Sequence, residues 1–108
     1  MAVAFDGTNV WIANNLDDTV SRMDPSTGAR TDFPTGGGPM AVAFDGTNVW
    51  IANNLDDTVS RMDPSTGART DFPTGGGPMA VAFDGISLWI ANSVSSTVSK
   101  MVKVIAVS

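Results

Sequence analysis

The chain has 108 residues and a net charge of −5, with 11 Asp and no Glu, His, Cys or Tyr. So acidic a balance speaks against nucleic acid and anionic membranes as partners, since both call for basic patches. Without His or Cys, the usual general base, the Ser–His and Cys–His pairs, zinc ligands and disulfides are all missing. No enzyme activity, cofactor or metal is therefore expected.

The opening residues MAVAFDG have no basic region and only a brief apolar run, unlike a signal peptide, and leave localisation unassigned. No run approaches the about 20 apolar residues that span a bilayer. Residues 1–5 (MAVAF) predict a first strand, A, and DGTN a turn after it. Residues 10–14 (VWIAN) predict strand B and residues 19–23 (TVSRM) strand C, with NLDD between them. In DPSTG, Pro25 is preset for a turn, Asp24 is placed to cap it, and Gly28 can take positive φ. Residues 29–33 (ARTDF) predict strand D, and PTGGGP reads as a flexible link. Such closely spaced turn signals mark antiparallel meanders.

After the link the same words return. Residues 1–39 and 40–78 are identical, and residues 79–108 begin a third copy that departs after Met101. A repeated unit generally cannot bury its own apolar surface, and a β unit near 40 residues points to a four-stranded propeller blade. Polarity within the unit agrees. Strands A and B are apolar on both faces, Val3 and Phe5 against Ala2 and Ala4, then Val10 and Ile12 against Trp11 and Ala13. A β-sandwich would cover only one face of each strand, whereas a blade is covered by neighbours on both. The predicted fold is an all-β propeller with 1–39 as blade 1, 40–78 as blade 2 and 79–108 as an incomplete, divergent blade 3; a sandwich and a β-solenoid are the alternatives.

In the third copy Val49 becomes Leu88, Arg61 becomes Lys100, and Asp56 and Asp57 become Ser95 and Ser96. VKVIAVS replaces the C–D turn and strand D, so three courses are open: strand C runs on, 103–108 forms a substitute outer strand pairing with strand C or with another chain, or the tail is frayed.

The words FDGTNVWIANNLDDTVSRMDPSTGA resemble repeats of bacterial propellers related to streptogramin (virginiamycin B) lyase, and YVTN-type repeats. Phe5-Asp6-Gly7, Val10-Trp11-Ile12-Ala13-Asn14, Thr19-Val20-Ser21 and Asp24-Pro25-Ser26-Thr27-Gly28 carry the resemblance, recurring at Phe44 through Gly67. It implies a propeller. The metal-dependent ring opening of those lyases uses histidine, so the resemblance does not bring that activity here. Identity of two units also resembles symmetric designer propellers. Recent duplication and design are both open, and the altered third copy favours natural amplification or a piece cut from one.

Asp17 and Asp18 read as a solvated turn in preference to a Ca²⁺ site, because the spacing is not that of an EF-hand. TGGGP lacks the lysine and helix of a phosphate loop. Trp11, Trp50 and Trp89 read as buried in preference to sugar platforms. Arg22, Arg61, Arg30 and Arg69 read as solvated or paired with Asp32 or Asp71.

Propellers close with about four to eight blades, so this chain forms an arc with two bare faces. Trp11 or Trp89 would be exposed there; a buried Trp hides about 150–250 Å², about 4–6 kcal/mol at about 25 cal/mol per Å². Copies are therefore expected to join head to tail into a ring. The small outer residues Thr19, Ser21, Thr31 and Asp32 favour nine blades as a trimer, ahead of six as a dimer. The residues expected to carry blade packing and assembly are Val3, Phe5, Val10, Trp11, Ile12, Phe44, Trp50, Ile51, Phe83, Trp89 and Ile90. A multivalent, lectin-like glycan-binding propeller is the alternative function.

Overall fold

A computed structural model describes residues 2–102. The pairing expected for residues 103–108 lies outside the described residues.

Three antiparallel sheets follow one another along the chain. The first is β1 (Ala2–Phe5), β2 (Val10–Asn14), β3 (Thr19–Met23) and β4 (Arg30–Pro34). The second is β5 (Pro39–Phe44), β6 (Val49–Asn53), β7 (Thr58–Met62) and β8 (Arg69–Pro73). The third, among the described residues, has β9 (Pro78–Phe83), β10 (Ser87–Asn92) and β11 (Thr97–Val102). Within each sheet every strand pairs with the next in sequence, and the first strands β1, β5 and β9 adjoin between sheets. This is an all-β partial propeller. Its strands lie within a residue of where the sequence places them: the fourth strands are shifted by one to Arg30–Pro34 and Arg69–Pro73, β5, β9 and β10 begin one residue early, and β11 runs on to Val102, one of the courses the sequence left open.

Local chemistry explains each turn. Asp6 accepts the N–H groups of Thr8 and Asn9 at 2.8 and 2.7 Å, while Gly7 takes φ 94°. Asp24 accepts the N–H of Ser26 at 2.8 Å and its carbonyl accepts that of Gly28, which sits at φ 76° as the turn reading requires. In the β2–β3 turn Asp18 adopts φ 55°, a left-handed conformation that Asp tolerates better than most residues.

Two apolar cores lie between the sheets. The first joins Trp11, Val20, Ala2, Ala4 and Phe33 of one sheet to Val42, Phe44, Val49, Ile51 and Met62 of the next. The second repeats the pattern, with Trp50, Val59 and Phe72 meeting Val81, Phe83, Leu88, Ile90 and Met101. Every residue of β6 is consequently buried.

The TGGGP link is more ordered than its composition suggests. Gly36 N–H donates to Asn53 Oδ1 at 3.1 Å, Gly37 N–H to Asp56 Oδ2 at 2.7 Å and Gly38 N–H to Asp18 Oδ1 at 2.9 Å. Gly77 N–H likewise donates to Asp57 at 2.8 Å. In the middle sheet, then, Asp56 holds the link that enters and Asp57 the link that leaves. The paired acids act as link caps, which the reading of a solvated turn had missed.

Candidate functional site: the two open sheet faces

Strand alternation gives each sheet two unlike faces. One carries the Trp, Val20 and Phe33 positions; the other carries the Val3, Phe5, Val10, Ile12 and Met23 positions. Inside the chain the first kind of face always meets the second kind of the following sheet. At the two ends one face of each kind is left without a neighbour among the described residues.

The first sheet leaves Val3 at 67% exposure, where Val42, its equivalent in the middle sheet, is at 7%. Phe5 is also exposed, and Val10 and Ile12 are half-buried. The third sheet leaves Trp89 at 41%, where Trp50 is at 2%. Around Trp89 stand Ala80, Ala82, Ala91 and Val98, all exposed. Of the two tryptophans that an open arc could bare, Trp89 is therefore the one; Trp11 is fully covered by the middle sheet. Trp50, Ile51 and Ile90 are buried between sheets, and Phe44 and Phe83 are half-buried there.

Each Trp is held by an aspartate five residues earlier. The indole Nε1–H of Trp11 donates to Asp6 at 2.7 Å, of Trp50 to Asp45 at 2.7 Å and of Trp89 to Asp84 at 2.8 Å. A buried indole needs such an acceptor. Sequence reasoning missed this clamp, although the threefold recurrence of Asp at that spacing carried the signal. Burial acts to raise the Asp6 carboxyl, but the N–H donors of Asn9, Trp11 and Thr8, with the Arg22 guanidinium, outweigh it and hold it below the usual carboxylate range. At the open end the Ser87 N–H, the Trp89 indole and the Ile86 N–H lower Asp84 to about 2.

The outer half of each complete sheet carries a second aromatic layer. Phe33 stacks on Trp11 with ring centroids 5.9 Å apart, and the Arg22 guanidinium lies 5.1 Å over Phe33. Arg22 also reaches across to the next sheet, donating from Nη1 to the carbonyls of Pro64 and Ser65 at 2.8 and 3.0 Å. Arg30 and Arg69 instead pair with Asp32 and Asp71 at 3.2 and 3.1 Å. A cleft of about 260 Å³ beside Arg22 is lined by Asp6, Asn9, Phe44, Pro64 and Ser65. That is below the about 300–1,000 Å³ usual for small-molecule sites.

No family model and no curated protein matches the chain. Solved structures do. Hydrazine synthase from Kuenenia stuttgartiensis aligns with TM-score 0.77 and 23% identity, over 84% of this chain and 28% of that one. A functionally unknown protein from Desulfotomaculum acetoxidans aligns with TM-score 0.65 and 19% identity, over 94% and 40% of the two chains. A streptogramin B lyase aligns with TM-score 0.63 and 15% identity, over 94% and 39%. At these identities the likeness is one of fold, and it supports the propeller-repeat type that the sequence resembles. The chain spans between 28% and 40% of the length of these structures.

Proposed function

We propose that the chain is a non-catalytic, self-assembling propeller segment, whose copies associate head to tail through the two open faces. One observation carries this reading: the bare faces are the two halves of a contact that already occurs twice inside the chain. The Trp89 face of one copy takes the place of the Trp50 face, and the Val3–Phe5 face of the next copy that of the Val81–Phe83 face of the third sheet. Lys100 stands where Arg22 and Arg61 stand, so its ammonium reaches the Pro25 and Ser26 carbonyls of the next copy as Arg22 reaches Pro64 and Ser65. Such a contact is heterologous, and it closes when the rotation between neighbours divides the circle.

Two copies give six sheets and three give nine. Small outer residues alone would favour nine. The outer half, however, also holds the Phe33–Arg22 and Phe72–Arg61 layers, and side-chain bulk at that position works to open the wedge between neighbouring sheets. Their bulk favours the smaller ring, a dimer.

Native mass spectrometry and sedimentation equilibrium test the reading. A folded species of two or three times 11.2 kDa is expected. A folded species that remains at 11.2 kDa up to millimolar concentration overturns it.

A further inference from the structure

Among the described residues the third sheet lacks something besides a neighbour. In both complete sheets the third strand is covered along its outer edge by a fourth, whereas β11 ends its sheet with no strand beyond it among the described residues. The complete sheets show what that edge accepts. Against β3, Phe33 lies opposite Val20 and Asp32 opposite Ser21. Ser21 Oγ donates to Asp32 at 2.6 Å, and Ser60 to Asp71 at 2.7 Å. The Phe of the fourth strand packs on the Trp of the second.

β11 keeps the receiving half of this arrangement. Its residues Thr97, Val98, Ser99 and Met101 repeat Thr19, Val20, Ser21 and Met23, and Lys100 replaces Arg22. Ser99 is held by Asn92 Nδ2 at 2.8 Å, as Ser21 is held by Asn14, but its own proton has no acceptor among the described residues. Val98 is at 64% exposure, where Val20 and Val59 are fully buried. Lys100 lies 5.4 Å over Trp89, on the ring that Phe covers elsewhere.

We propose that the β11 edge is a strand-acceptor site for an extended segment of another polypeptide carrying Asp followed by an aromatic residue. The segment adds antiparallel to β11. Its Asp accepts from Ser99, and its aromatic ring covers Val98 and Trp89. Backbone hydrogen bonds supply the docking, and the two side chains supply the selectivity. The other outer edges are poor competitors. β4 and β8 carry an Arg–Asp ion pair and end in Pro34 and Pro73, features that blunt an edge. The site does not require the ring, because it lies at the rim of the sheet.

The test is an NMR titration of the ¹⁵N-labelled full chain with a blocked peptide of the sequence of residues 29–34, ARTDFP. Saturable shifts confined to the β11 amides and the Trp89 indole N–H are expected, with slowed amide exchange along β11. Replacing the peptide's Phe by Ala should weaken binding about tenfold or more. Replacing its Asp by Ala should weaken it about threefold to tenfold. The proposal is overturned if no saturable shift appears at millimolar peptide, if shifts fall equally on β4 and β8, or if the Phe→Ala peptide binds as well. Solution mass is read separately, so the edge and the ring fail independently.

Discussion

The first and second sheets have the same sequence and different surroundings, which makes them an internal control. Val3 and Val42 sit in the same words, yet one is at 67% exposure and the other at 7%. The whole difference comes from the neighbour. Residue choice in this repeat thus suits a sheet covered on both faces, and the end sheets carry the same apolar residues with one face uncovered among the described residues. The third sheet teaches the converse: where the chain changes its sequence, it keeps the Trp face and has no fourth strand among the described residues.

The largest effect should separate Val42→Asp from Val3→Asp. A carboxylate at position 42 would be buried without a partner and should cost about 4 kcal/mol or more, a large part of the about 5–15 kcal/mol that holds a small domain. The same change at position 3 should cost less than about 1 kcal/mol in the dilute chain and instead abolish assembly. Urea denaturation read by circular dichroism, with sedimentation of each variant, checks both. Loss of fold in Val3→Asp would show that the first sheet depends on that face even without a neighbour.

A second pair is Gly67→Ala and Gly28→Ala. Both glycines sit at φ 76°, so either change should cost about 1–2 kcal/mol in the left-handed region. At Gly67 a Cβ would also overlap the Phe33 ring, whereas at Gly28 it meets nothing within 4 Å. The overlap should add about 1–3 kcal/mol. Equal midpoints in urea would mean that Phe33 swings away at little cost and the outer aromatic layer is loose.

Arg22→Ala should in turn exceed Arg61→Ala. Arg22 holds two carbonyls of the following sheet as well as Phe33, so its loss should cost about 1–2 kcal/mol. Arg61 lies over Phe72, with no Pro-Ser turn following in the third sheet among the described residues. Its loss should cost about 0.5–1 kcal/mol. Thermal denaturation of the two variants ranks them, and equal shifts would show that stacking on Phe, not the reach across sheets, carries the Arg contribution.

Much of this was legible because repetition amplifies weak signals. Alternation over only five residues is ambiguous, but apolar residues on both faces of VWIAN, stated twice without change and once with conservative swaps, specify a sheet with two neighbours. The turns were legible because Asp, Pro and Gly act through their own backbone. Long-range side-chain pairings were not. The Asp6–Trp11 clamp joins a turn to the next strand, and Asp18 reaches Gly38 twenty residues on; only the folded sheets bring these groups together. The outer aromatic layer was not legible for a related reason. Phe33 was visible in strand D, but its stacking on Trp11 depends on cross-strand register, which propensity does not give.

The smallest effect concerns acid, and it distinguishes the exposed Trp from the buried ones. Asp84 is held at about 2 in the folded chain against an ordinary 3.8. Its ionised form therefore favours the folded state above pH 3.8, and that contribution is lost as pH falls through about 2. Protonation should weaken the bond to the Trp89 indole, and the Trp89 Nε1–H resonance should titrate with a midpoint near 2. In Asp84→Asn that titration should vanish while the Trp11 resonance keeps its own response, because Asp6 is a separate clamp on a covered ring. A Trp89 signal that titrates at the ordinary 3.8 would mean that the clamp at the open end is broken in solution, and that Trp89 is free to leave the sheet face on which the proposed assembly rests.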